Sequence, residues 1–249
     1  MAVLTEARGR VLIIRLDRAA KLNAMDHAMT LGLDAAMNRL EDEDQWWCGV
    51  LTGNGRAFSA GSDLADPDRN STERGGPYGL IRRERRKPLI AAVNGLAFGG
   101  GFEMVLACDL VVAARGARFA LPEVQRGLLA LYGGVFRGAR ALPLNLAREM
   151  VLTGEPIGAE RAHALGLVNR LCEDGSALDV ALGLAEAICA NSPVAVRESL
   201  GVVNQSIDAS DSHAWQLSAE AARRVRASAD SREGIDAFLA KREPRWSGR

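Results

Sequence analysis

This chain has little of what many catalytic and binding signatures are made from. Only four of its 249 residues are cysteines (Cys48, Cys108, Cys172, Cys189), widely spaced and with no C-x-x-C pair. A metal-thiolate or dithiol redox site therefore lacks support. Most of these cysteines stand in apolar runs, as small buried thiols do. The three histidines (His27, His163, His213) fall in helix-like segments with no acidic motif around them, and no G-x-S-x-G elbow occurs. A serine hydrolase built on Ser59 or Ser62 is poorly supported for that reason. No G-x-G-x-x-G follows the first strand-like run, so a nucleotide-binding sheet of the dinucleotide type lacks its fingerprint. Neither sign of charge is in excess, 31 Lys plus Arg against 31 Asp plus Glu. With aromatics at 5% and not interleaved with basic residues, nucleic acid is not expected as a partner. No apolar stretch reaches about 18 residues, and none follows a basic start. The chain reads as soluble and cytoplasmic, without a membrane partner.

What is present is a core-forming chain of one-domain size, 48% hydrophobic. Short apolar runs at 11–14, 48–51, 89–93, 110–113 and 167–171 have the length of strands. Asp26 can cap a helix whose apolar side is Met29, Leu33, Ala36, Met37 and Leu40. The stretch 66–79, rich in Asp, Arg, Asn, Gly and Ser, reads as a mobile loop. From about residue 177 the pattern is helical only, with Pro193 at one helix start. The pattern predicts an α/β fold with an all-α tail, divided as a core at 1–176 and a helical region at 177–249. The basic cluster Arg82, Arg83, Arg85, Arg86 and Lys87 fits a solvated helix face or a site for phosphates.

The densest signal is Gly99-Gly100-Gly101-Phe102-Glu103, between a strand-like run with its Asn94-Gly95 turn and a helix-like run. Glycines there let a ligand atom approach main-chain N–H groups, which at a helix N-terminus are unpaired and favour negative charge. Glu103 follows Gly100 by three residues, on the same side of a helical turn. A backbone anion site with a carboxylate beside it suits enolate chemistry. A second glycine-bearing loop runs through Ala60-Gly61-Ser62-Asp63-Leu64, and Pro122-Glu123 comes twenty residues after Glu103.

Together with Asn23-Ala24-Met25, Ala92-Val93-Asn94-Gly95, Cys108-Asp109-Leu110 and Leu152-Thr153-Gly154, these motifs resemble the crotonase (enoyl-CoA hydratase/isomerase) superfamily in order and spacing. The resemblance runs from about residue 10 to the C-terminus. It implies a spiral of ββα turns with a helical C-terminal trimerisation region, giving a homotrimer or a dimer of trimers. The implied activity is reversible addition of water to a 2-enoyl-CoA, with an acyl-CoA as partner and no cofactor or metal beyond the substrate's own coenzyme A. Carried over residue by residue, the N–H groups of Ser62 and Gly100 bind the thioester oxygen. Glu103 is the base on water, its helix N-terminus favouring the anion, and Glu123 is the proton donor to the α-carbon. Ala24, Ala60, Gly61, Asp63, Leu64, Gly99, Leu131 and Tyr132 would line the substrate. Phe238 and Lys241, three apart on one helix face, would meet its nucleotide.

The chain also departs from the family pattern. Leu121 stands where archetypal hydratases carry Gln, and Ala65 and Asp66 replace a frequent Lys. Leu131 and Tyr132 replace smaller residues near the catalytic water. Alternatives consistent with the resemblance are a Δ3,Δ2-enoyl-CoA isomerase, another acyl-CoA lyase or dehydratase, and a non-catalytic CoA-ester or RNA-binding protein on this fold. Retention of both glutamates favours the hydratase.

Overall fold

The computed structural model describes residues 2–66 and 70–249. In chain order its first half runs β1 (Val3–Arg8), β2 (Val11–Leu16), α1 (His27–Asp42), β3 (Cys48–Gly53), β4 (Ala57–Ser59), β5 (Ser71–Thr72), β6 (Gly76–Pro77), β7 (Leu89–Val93), β8 (Leu96–Phe98) and α2 (Gly100–Leu106). There follow β9 (Leu110–Ala114), β10 (Arg118–Ala120), a 3-10 turn over Pro122–Arg126, α3 (Gly134–Ala141), α4 (Leu144–Thr153), β11 (Ile157–Gly158), α5 (Ala159–Ala164) and β12 (Arg170–Cys172). Four helices close the chain: α6 (Ala177–Cys189), α7 (Pro193–Ser206), α8 (Asp211–Ala227) and α9 (Ala229–Ala240).

A six-stranded sheet has the order β1-β2-β3-β7-β9-β12, parallel from β2 onward, and a four-stranded sheet has the order β11-β10-β8-β4. The turns β7–β8–α2 and β9–β10–α3 each place one strand in the large sheet and a short one in the small sheet before a helix, the expected ββα spiral, while β3 and β4 do the same before the β5–β6 hairpin. Strands β3 and β7 are buried at every residue, as parallel strands covered on both faces must be. One face packs under Ala177, Ala181, Leu182 and Ala185 of α6, where small residues one turn apart let the helix lie close. The other face joins the main core through Leu51, Ala91, Val93, Phe58 and Phe102. The helical tail thus divides, α6 covering the sheet while α7, α8 and α9 follow it. No single helix among the described residues is long and apolar enough to cross a membrane.

Several local expectations hold. Asp26 accepts a hydrogen bond from the Met29 N–H at 2.8 Å as the α1 cap, and Met29, Leu33, Ala36, Met37 and Leu40 are all buried. Pro193 opens α7, capped by Ser192. The strand expected at 167–171 begins only at Arg170, because the N–H groups of Leu167 and Val168 turn back to the Ala162 carbonyl at the end of α5.

Two expectations are overturned. Part of the loop expected at 66–79, residues 67–69, lies outside the described residues, but 70–79 is a tightly held hairpin of β5 and β6. Thr72 Oγ1 donates to Asp34 at 2.6 Å, Tyr78 N–H donates to the Asn70 carbonyl, and Tyr78 is fully buried. The cluster at 82–87 is neither a helix nor wholly solvated. Arg83 pairs with Asp34 inside the protein, Arg85 reaches Asp109 at 2.6 Å, and Lys87 Nζ donates to the Glu43 carbonyl at 2.8 Å. Glu41 accepts from the N–H groups of Arg86 and Lys87. These cations fasten β7 and the hairpin to α1 and β9, so most of their charge is spent within the fold.

Candidate active site

The site forms where the two glycine-bearing segments touch. Segment 23–25 runs beside 60–63: Ala60 N–H donates to Leu22, Met25 N–H to Gly61 at 2.7 Å, and Asp63 N–H to Met25. That pairing uses the Gly61 carbonyl and the Asp63 N–H, so the Ser62 N–H points to the opposite side. Gly100 is the first residue of α2, where an N–H has no intrahelical partner. A β-carbon on Gly61 would lie 2.7 Å from the Gly100 nitrogen, so only glycine lets the two main chains meet. Gly99 holds φ at 55°, a left-handed turn that swings the chain from β8 into α2. The Ser62 and Gly100 N–H groups are thereby neighbours.

Two carboxyls flank this junction. Glu103 is 2% exposed, and its Oε1 accepts the Gly134 N–H at 2.8 Å. Burial pushes its carboxyl up to about 7, against the lowering effect of the Gly134 and Tyr132 N–H groups. The short helix was expected to keep Glu103 anionic; burial outweighs that field, and the nearby Glu123 adds to the rise. Glu123 sits in the first turn after Pro122, and a β-carbon on Gly99 would lie 2.9 Å from its Oε1. Its Oε2 is buried with no hydrogen-bond partner in the protein, and burial raises its carboxyl too.

The other residues separate. Ala24, Ala60, Gly61, Asp63 and Gly99 belong to the junction, but Asp63 is held by Arg18 at 2.7 Å and serves the loop. Ala60 is exposed at its edge, and the Leu64 and Leu131 side chains are exposed. Tyr132 packs edge to face on Tyr78 with ring centroids 5.2 Å apart. Phe238 lies on α9 in a groove with Ala195, Val225 and Trp246, away from the glutamates. Lys241 is not on the same helix face. It stands one residue past the helix, at φ 52°, so the spacing of three does not carry the pair onto one face. Neither serine has a histidine partner, for Ser59 Oγ donates to the Asn23 carbonyl and Ser62 Oγ meets the Tyr78 hydroxyl.

Sequence reasoning missed two groups. The Gly134 N–H could have been suspected from the Gly133-Gly134 pair opening α3. Tyr78 gave no signal, being a lone aromatic among glycines in a stretch that read as loop.

Residues 6–249 match the model of the enoyl-CoA hydratase/isomerase family. The 2,3-dehydroadipyl-CoA hydratase of Escherichia coli (strain K12) is 37% identical, over 96% of both chains. The short-chain-enoyl-CoA hydratase of Clostridium acetobutylicum is 31% identical over 97% of this chain and 95% of its own. The crystal structure of an enoyl-CoA hydratase from Mycobacterium tuberculosis H37Rv superposes with a TM-score of 0.96 at 43% identity, covering 100% of this chain and 99% of that one. With this crotonase-type fold, the chain is an enzyme of the hydro-lyase kind and belongs to the enoyl-CoA hydratase/isomerase family.

Proposed function

We propose that the enzyme adds water reversibly to a 2-enoyl-CoA thioester, without a metal or redox cofactor. One observation carries the reading: the buried carboxyl of Glu103 and the half-buried carboxyl of Glu123, with its Oε2 shielded, stand beside the junction at which the Ser62 and Gly100 N–H groups are neighbours. The thioester oxygen accepts both N–H groups, and the charge it gains as water attacks is stabilised by donors already in place. Each such donor is worth about 3 kcal/mol in the transition state. Glu103, oriented by Gly134, takes a proton from the water that attacks the β-carbon. Glu123, whose Oε2 has no protein partner, gives a proton to the α-carbon. Dehydration runs the same steps backward.

The same reading extends to assembly. A homotrimer or dimer of trimers is proposed to form through exposed apolar side chains of α7 to α9, with Phe238 and Lys241 meeting the nucleotide of coenzyme A. Among the described residues, no group of three or more metal-ligating side chains occurs. The test is a panel of 2-enoyl-CoA thioesters followed by loss of the conjugated absorbance, before and after exhaustive chelation. Turnover unchanged by chelation is expected. Turnover of 3-enoyl but not 2-enoyl substrates would replace hydration by isomerisation, and binding without turnover of either would point to a non-catalytic role.

A further inference from the structure

Tyr78 is placed with more care than a core aromatic needs. Its backbone holds φ at 56°, which costs a residue with a β-carbon some strain, and such strain collects at functional positions. The strain is over-determined by its surroundings. Asn70 accepts its N–H, Arg83 Nε donates to the Gly79 carbonyl at 3.0 Å, and a β-carbon on Gly79 would strike Asp34 of α1. Tyr132 braces the ring from the side. The result is a hydroxyl 2.6 Å from Ser62 Oγ and against Gly100, where an added β-carbon would lie 2.1 Å from it. Tyr78 thus reaches both residues that offer main-chain donors, and the charges of both glutamates are felt at its hydroxyl.

Resting on the enoyl-CoA reading, we propose that the Tyr78 hydroxyl is a third hydrogen-bond donor to the thioester oxygen, alongside the Ser62 and Gly100 N–H groups. A tyrosine hydroxyl can accept one hydrogen bond while donating another, and Ser62 Oγ can be donor or acceptor. With substrate bound, Ser62 Oγ–H donates to Tyr78, and the Tyr78 proton turns to the thioester oxygen. No bond is made or broken at Tyr78. Burial raises its phenol further above the ordinary value, so it keeps the proton across the working pH range.

The probe is 2,4-hexadienoyl-CoA, whose conjugated thioester absorbs further to the red as its oxygen is polarised. Read immediately on mixing, binding to the native enzyme should shift the band, and Tyr78→Phe should remove about half of that shift. Tyr78→Phe should also lower kcat on 2-butenoyl-CoA by about 10-fold or more, while affinity for an S-alkyl-CoA thioether lacking the carbonyl stays within about twofold. An unchanged shift with unchanged or higher kcat overturns the inference and leaves the enoyl-CoA reading standing. Failure of the native enzyme to bind any CoA thioester overturns both. A second measurement covers a poorly folded variant. The chain has two tyrosines, so 3-fluorotyrosine in a Tyr132→Phe background labels position 78 alone. Its fluorine resonance should move with the thioester and not with the thioether; equal movement with both overturns the inference.

Discussion

A carboxyl buried to 2% exposure and pushed up to about 7 has consequences for both activity and stability. As the proposed base on water, Glu103 must be ionised, so kcat/KM for hydration should climb through about pH 7, and Glu103→Gln should flatten that limb. Glu103→Gln and Glu123→Gln should each lower kcat about 10²-fold or more with little change in thioester affinity, as lost proton transfer does. The stability effect has the opposite sense. Below the unfolded value near 4.3 both states hold the proton; between about 4.3 and 7 the unfolded chain ionises while the folded chain must keep the proton or bury the charge. Stability therefore falls by up to about 4 kcal/mol, the loss being complete above about pH 7. Glu103→Gln removes that loss, since its amide oxygen still accepts the Gly134 N–H. Its Tm should exceed the native value at pH 8 and converge with it near pH 4; a gap that persists at pH 4 would contradict the assignment. Ser62→Ala should cost less than about fivefold in kcat, because the Ser62 group proposed to contact the thioester is main chain. A loss as large as that of the glutamate variants would revive a nucleophilic serine.

Elements with a short-range pattern are legible in the order of residues alone. Helix α1 has a cap and an apolar stripe at helical spacing, and β7 is bounded at 89–93 as its apolar run predicts. Paired motifs are legible as well, because Gly61 and Gly100 of the proposed site stand where a β-carbon would clash. The hairpin at 71–77 is not, since Gly, Arg and Asn denote a turn without saying what holds it. Its order comes from distant partners, Asp34 of α1 above all. The basic run misleads for the same reason: Arg83 and Arg85 find Asp34 and Asp109, which lie 49 and 24 residues away. Arg85 and Asp109 are nine-tenths buried, and Asp109 also accepts the Leu89 N–H, tying β7 to the residue that precedes β9. Removing one member strands the other's charge in the core, an effect of about 3–5 kcal/mol. Arg85→Ala should therefore lower the urea midpoint sharply. The double replacement Arg85→Met with Asp109→Leu should recover part of the loss, and failure to recover any would mean that the pair is not the cause.

At the scale of the molecule, the spiral core is closed on its outer face by α6, but the helices beyond it are not closed. Trp215 on α8 is 75% exposed, and Phe238 and Leu239 on α9 are 83% and 73% exposed. Ile235 and Leu239 share the α9 groove with Phe238, so the exposed surface is a patch and not a scatter of single side chains. Water against such a patch costs about 25 cal/mol per Å², which favours association of copies through α7 to α9. A trimer or dimer of trimers is the expected mass by light scattering at working concentration. Trp215→Glu with Phe238→Glu should shift it toward the monomer, and a native monomer would end the proposal. Lys241 sits beyond the end of α9 in a left-handed turn, exposed and able to reach outward. If it holds the phosphates of coenzyme A, Lys241→Ala should weaken binding of a full CoA thioester by about 1–2 kcal/mol, more at low salt. A pantetheine thioester lacking the nucleotide should bind the variant as it binds the native enzyme. Equal weakening of both would place Lys241 outside the nucleotide site, and the loss would then reflect the helix end that its left-handed residue closes.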